Sequence, residues 1–213
     1  MITSGDIDAF KEMQPIIIGF CGAKGHGKDT AAQALIDELG FKKVSFADGL
    51  RKTVCTALRC NEQYFLDPDK KEEVDPRTGK SRRYWLQWIG TEGFRALWED
   101  VWVEWWRQEI LSKGYERVVT TDVRFPNEIA VLQQFANARM IRVTNPSKPV
   151  NNDAHASELH YRSFKVDFDI LNNGTIAQLQ HATMQFVADG FPSIIDAKIY
   201  APPYDALFAP YGG

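Results

Sequence analysis

The sequence predicts an α/β fold: a parallel sheet with helices packed against it. Three observations predict it. Short apolar runs of strand length alternate with longer segments of helical periodicity, the pattern of βα units. The first such run is followed at once by a glycine-rich loop that opens a helix. The chain has 213 residues, 44% of them hydrophobic, enough for one sizeable core and short of two ordinary domains.

The first strand is Ile16-Ile17-Ile18-Gly19-Phe20-Cys21. Gly22-Ala23-Lys24-Gly25-His26-Gly27-Lys28 follows and fits the phosphate-loop pattern, in which the glycine before the lysine closes a glycine-rich turn. Ala31, Ala32, Leu35, Ile36 and Leu39 then recur at helical spacing until Gly40. Glycines there let backbone N–H groups turn inward onto phosphate oxygens at a positive helix terminus, and Lys28 can reach the transferring phosphate. The residue after the lysine is Asp29 rather than the Ser or Thr that ordinarily ligates magnesium, and Thr30 comes next. Asp29 either approaches a magnesium ion or is a helix-start carboxylate favoured by the macrodipole; Thr30 either caps the helix or binds another phosphate.

Phe41 to Phe46 reads as a second strand that turns through Ala47-Asp48-Gly49-Leu50 into a helix. Its Arg51 or Lys52 lies just past a strand end, where open α/β sheets bind ligands, and suits an acceptor phosphate or a solvated basic turn equally. Residues 67–83 are almost free of apolar side chains and contain two prolines; this composition predicts an exposed, mobile insertion, ending in Arg82 and Arg83. Tyr84 to Leu111 holds all six tryptophans, most of which the helical spacing assigns to core packing. Within it, Gln87, Gly90, Thr91, Gly93 and Arg95 combine close backbone approach with directional polar groups, a place where a planar base can be stacked and read.

Arg117 to Asp122 is the third strand, ending in a carboxylate. Pro126 opens a helix immediately afterwards, leaving Arg124 at the strand's carboxyl end, suited to a phosphate or transition-state role. Ala138 to Val143 is the fourth strand. Residues of about 144–165 form the predicted lid, with Arg162 as its cation and His155 as either a capping or surface residue or a catalytic one. Asp167 to Leu171 is the fifth strand; Asn172-Asn173-Gly174 makes a turn that either borders the donor adenine or is a plain αL turn, and Thr175 caps a last helix running to Gly190. The core thus spans 15–190, and a Pro/Tyr-rich tail, 191–213, carries no periodic pattern.

Charge excludes some classes of function. Lys plus Arg number 25 against 28 Asp plus Glu, a formal charge of −3 with no basic stripe, so polymeric nucleic acid is not an expected ligand. Cys21, Cys55 and Cys60 lack metal-ligand spacing and read as reduced residues of a cytoplasmic protein. Met1 to Gln14 shows no apolar signal core, and no run approaches the ~20 apolar residues that span a bilayer, so no membrane is expected.

Taken together, Gly-Lys-Asp-Thr at 27–30, Ser45-Phe46-Ala47-Asp48, Leu86 to Glu92, Asp122 to Glu128, His155-Ala156-Ser157-Glu158 and Asn172 to Thr175 resemble the phage-type deoxynucleoside monophosphate kinases. The resemblance implies one P-loop NTPase-fold domain over 1–213: a five-stranded parallel sheet flanked by helices, with a mobile lid, working in the cytoplasm of a host cell if phage-encoded. It implies transfer of the ATP γ-phosphoryl to a deoxynucleoside monophosphate (dNMP), with Mg2+, these two nucleotides as small-molecule partners, and a homodimer as one possible assembly. Asp29 is normal in that family, whereas His26 stands where Ser is common. ATP would be bound by Gly22, Lys24, Gly25, Gly27, Lys28, Asp29, Thr30 and Asn173, with Asp29 and Thr30 on the metal. The dNMP would be bound by Lys52, Arg83, Gln87, Gly90, Thr91, Arg95, Trp102 and Asp122. Lys28, Asp122, Arg124 and Arg162 would serve catalysis. Competing readings are a related kinase resembling phosphomevalonate kinase, and a non-kinase ATP-binding switch or motor subunit.

Overall fold

The structure, a computed structural model, describes residues 15–148 and 160–192. Its sheet has five parallel strands in the order β2-β5-β1-β6-β7: β1 Ile16–Cys21, β2 Lys42–Lys43, β5 Arg117–Thr120, β6 Ala138–Thr144 and β7 Phe168–Leu171. β1 is central, aligning Ile17 with Val118 of β5 on one side and Ala138 of β6 on the other. Neighbouring residues of β1 face opposite cores: Ile17 packs with Val118, Trp106 and Ile129, while Ile18 packs with Leu35, Val119 and Val187. A sheet covered on both faces has no solvent side, which is why its strands read as continuous apolar runs.

One face is covered by α1 Lys28–Leu39 and α8 Ile176–Gly190, the other by α6 Val101–Lys113 and α7 Pro126–Leu132. Thr175 caps α8 by accepting from Gln178 N–H, and Gly40, at φ 68°, ends α1. α2 Ala47–Leu58 lies over the carboxyl edge of β2. Strand β2 is shorter than its apolar run because Ser45 N–H is taken by Asp48 and Phe46 N–H by Asp122, which turn the chain into α2.

The acidic and basic stretch at 67–83 is not the unstructured insertion its composition predicts. It folds as α4 Pro68–Glu72 and a small hairpin, β3 Val74–Asp75 with β4 Lys80–Ser81, beside a one-turn helix, α3 Gln63–Leu66. Ion pairs replace the missing core: Arg83 pairs with Glu72, Arg82 lies 3.7 Å from Glu73 and stacks over Tyr64, and Arg77 holds Asp75 at 2.6 Å. After α5 Arg82–Gln87, the two-glycine stretch does not break the helix either: Trp88–Arg95 continues as a π-helix.

The tryptophans also divide differently from their spacing. Trp102 and Trp106 are buried, Trp85 and Trp105 half-buried, and Trp88 and Trp98 exposed. Trp106 is the knot of its core: its indole N–H faces the Val44 carbonyl and the Thr120 hydroxyl, each at 3.1 Å, and its ring lies 4.9 Å from Phe46. We expect Trp106→Ala to cost about 3–5 kcal/mol in urea unfolding, and Trp106→Phe about 1–2 kcal/mol, since Thr120 still donates to Val44 at 2.8 Å. A loss below about 1 kcal/mol for the alanine variant would disprove the knot.

Candidate active site

The loop at 22–27 follows the central strand. Gly22 has φ +138°, and a Cβ there would lie 2.3 Å from the Val143 carbonyl oxygen, so the first glycine is required both by conformation and by space. Lys28 folds back and donates to the carbonyls of Gly22 and Ala23, both at 2.8 Å. The loop is also held from outside. Asn172 Nδ2 donates to the His26 carbonyl at 3.0 Å, and the His26 imidazole reaches Lys148 O at 2.9 Å and Val143 O at 3.3 Å. A serine hydroxyl at position 26 is too short for that span. Each ring nitrogen thus faces a carbonyl oxygen, the shorter approach being that of Nε2 to Lys148.

Asp29 and Thr30 sit in the first turn of α1. Asp29 accepts from the Thr121 hydroxyl at 2.7 Å and from Lys43 at 2.6 Å. Desolvation pushes its carboxyl up, but these two hydrogen bonds outweigh it and hold the group below the usual range. Its pair with Lys43 is exposed and weakly worth keeping, so the carboxylate is free to exchange partners. The donors gathered at this end of the loop are oxygens, as a hard divalent cation requires; among the described residues no cluster of His, Cys, Asp and Glu forms a metal site by itself. Lys24 is exposed on the loop. Asn173 is exposed as well, and it is Asn172, one residue earlier, whose side chain meets the loop.

A cavity of about 290 Å³ opens beyond the carboxyl ends of β2 and β5. It collects Arg83, Gln87, Gly90, Thr91, Arg95, Trp102 and Asp122, the residues expected on the acceptor side, together with Arg124. Lys52 is not among them. It points over the Trp105 ring at 4.7 Å and toward Glu109 at 3.5 Å, and Arg51 lines the cavity instead. On a helix, adjacent residues point about 100° apart, so the two cannot both face one wall.

Sequence reasoning missed Lys71, Phe125 and Glu128, which line the same cavity. Lys71 is hidden in a charge run, and Glu128, in the first turn of α7, looks like an ordinary capping residue. Glu128 is 2% exposed and accepts Arg124 N–H at 2.7 Å, Phe125 N–H at 3.1 Å and Arg95 at 2.6 Å. Arg95 stacks over Phe125 at 4.0 Å. Burial pushes the Glu128 carboxyl up to about 7 and the Asp122 charge adds to this, against Arg95 and the two N–H donors.

A second cavity, about 330 Å³, lies on the other side of the loop and is lined by His26, Arg142, Lys148, Tyr161 and Arg162 among others. Both described ends of the predicted lid therefore meet there; His155 to Glu158 lie outside the described residues. Arg162 faces this cavity and not the acceptor one.

The raised Glu128 group has a signed consequence. The folded state holds its proton where the unfolded chain has lost it, so its contribution falls as pH rises from about 4.5 to about 7. We expect the stability of the protein minus that of Glu128→Gln to decline by roughly 3 kcal/mol over that window. A difference that stays flat in urea melts would return the group to an ordinary carboxyl.

No protein-family model matches the chain. A protein of Acanthamoeba polyphaga mimivirus named "Putative deoxynucleotide monophosphate kinase" is 35% identical over 179 residues, covering 76% of this chain and 91% of its own. "Uncharacterized protein ORF77" of Ictalurid herpesvirus 1 (strain Auburn) is 29% identical over 176 residues, covering 80% of this chain and 69% of its own. Among solved structures, shikimate kinase from Aquifex aeolicus aligns with 83% of this chain and 99% of its own at 13% identity and a TM-score of 0.48. Dephospho-CoA kinase from Campylobacter jejuni aligns with 83% of this chain and 98% of its own at 14% identity and a TM-score of 0.44. With a phosphate loop after the central strand of a five-stranded parallel sheet, and the mimivirus relative matched over nine-tenths of its length, the chain belongs to the deoxynucleoside monophosphate kinase family of P-loop kinases.

Proposed function

We propose that the protein transfers the γ-phosphoryl group of ATP to the 5′-phosphate of a deoxynucleoside monophosphate. The observation that carries this reading is the mixed lining of the acceptor cavity. Arg51, Arg83 and Arg124 line it together with Gln87, Thr91, Arg95, Trp102 and Phe125. Guanidiniums match phosphate oxygens, and flat rings with amide and guanidinium donors match a base. An isoprenoid acceptor, as in a phosphomevalonate-like kinase, would leave Gln87 and Thr91 with nothing to bond.

In the reaction the bond from the γ-phosphorus to the β,γ-bridging oxygen breaks and one from an acceptor phosphate oxygen forms, with no covalent enzyme intermediate. The work asked of the protein is to hold two anions in line and balance the charge that spreads over the transferred group. Lys28 already points into the loop; incoming phosphate oxygens replace the carbonyls of Gly22 and Ala23 as its acceptors. Arg124 stands at the carboxyl end of β5 with its backbone clamped by Glu128, so its guanidinium is presented from a fixed base. Asp122 spends its charge on the N–H groups of Phe46 and Ala47 and shapes the start of α2 instead of repelling the substrate. Arg162 and Lys148 supply positive charge from the donor side. Asp29 and Thr30 would hold magnesium, which neutralises the donor phosphates when bound.

Release of ADP should be measured with ATP and magnesium while dGMP, dTMP, dCMP, dAMP and their ribose counterparts are offered one at a time. The expected result is turnover with deoxynucleotides that falls roughly a hundredfold or more in Lys28→Ala. If no monophosphate raises ADP release above background, the acceptor reading fails.

A further inference from the structure

The acceptor cavity carries a cation that no motif supplies. Lys71, from α4 in the charged stretch after residue 67, lines it beside Arg51, Arg83 and Arg124. Protein carboxylates already serve two of those arginines: Arg51 pairs with Asp48 and lies 3.7 Å from Glu62, and Arg83 pairs with Glu72. Lys71 differs. Among the described residues its ammonium forms no hydrogen bond or ion pair, although it is half-buried. The charges that face it are Arg83 from α5, Arg51 from α2 and Arg124 from the loop after β5; against them stands Glu72, its own neighbour, which Arg83 engages, while Asp122 and Glu128, in the lining of the same cavity, are held by backbone N–H groups. Burial first, and then these like charges, push the Lys71 ammonium down to about 8. A desolvated cation among cations is costly unless an anion joins it, and this one is set in the wall of a cavity.

We propose that Lys71 grips the phosphate of the acceptor, as the fourth cation of a cradle with Arg51, Arg83 and Arg124. This rests on the reading of the cavity as the acceptor site and deepens it. The matching substrate is a phosphate monoester entering as a dianion, since a neutral hydroxyl compound would bring no counter-charge to the half-buried Lys71 ammonium. The segment that composition marks as solvent-exposed charge thereby becomes part of the site.

The test compares the protein with Lys71→Gln and Lys71→Arg in the ADP-release assay from pH 6.5 to 9.5. For the deoxynucleotide turned over best, kcat/KM should fall above about pH 8 in the unchanged protein, because the free enzyme then holds a neutral Lys71. Lys71→Gln should raise the acceptor KM roughly tenfold or more and leave the ATP KM within about twofold. Lys71→Arg, always charged, should restore the KM and abolish that alkaline fall. An unchanged acceptor KM in Lys71→Gln, or a parallel rise in both KM values, would overturn the proposal while leaving the kinase reading in place. Should no monophosphate be turned over, inorganic phosphate titrated into the ADP-saturated protein decides separately: weaker binding in Lys71→Gln supports the cradle, and equal binding overturns it.

Discussion

Asp122 and Glu128 are two carboxylates set close together in a cavity whose other charged lining residues are all cations. Left to act as free charges, they would repel each other and any phosphate. Instead, each is consumed by backbone. Asp122 takes the N–H groups of Phe46 and Ala47, Glu128 those of Arg124 and Phe125, and Glu128 also receives Arg95. These bonds fix where α2 and α7 begin. Arg51 on α2 and Arg124 just before α7 follow from those beginnings, so the acids anchor the backbone that presents two of the cavity's cations. Removing either acid would unsettle both the charge balance and the backbone that presents the guanidiniums.

The phosphate loop is preorganised in a similar way, from both sides. Lys28 satisfies two loop carbonyls from within, while Asn172 and His26 tie the loop to the segments after β7 and β6. Backbone N–H groups arranged before the ligand arrives need little reorganisation when it does. His26 also gives the loop something a serine could not: a direct bond to Lys148 O, at the start of the predicted lid. The loop and that segment are therefore mechanically joined through one side chain.

Elements with a strong period were legible in the sequence. β1, α1 and α8 follow their apolar spacing and caps, and the phosphate loop follows its glycines. That Gln87 to Arg95 and Asp122 to Arg124 would share one cavity was legible too, because they combine polar groups with strand ends or glycines. What escaped was decided by tertiary placement. Lys52 and Arg51 are neighbours with the same charge, and only the packing of Lys52 over Trp105 says which one turns away. Asn172 and Asn173 differ by one step at the end of a strand, which inverts the side-chain direction. Lys71 belongs to a run whose composition predicts solvation, and ion pairs with the following helix overrule it. Core packing failed for Trp88 and Trp98 for the same reason: spacing shows which rings share a helix face, but not whether another element covers that face.

The π-helix is where the remaining parts meet. Gly90 sits in its middle, buried, with Leu50 of α2 so close that a Cβ would lie 2.7 Å from a leucine methyl. Its carbonyl accepts from Trp102 of α6 at 3.1 Å. A wider helical turn loosens the i to i−4 ladder, and π-turns concentrate at functional sites; here the loosened carbonyl is taken by a tryptophan that itself lines the acceptor cavity. Thr91 and Arg95 then lie on a turn whose pitch α2 and α6 hold from either side. A side chain larger than glycine at position 90 would force the Leu50 side chain, near the start of α2, to shift. Leu50 and Gly90 both line the cavity, so the π-helix that carries Thr91 and Arg95 and the helix that carries Arg51 meet at one tight contact, which favours glycine there in spite of its cost within a helix.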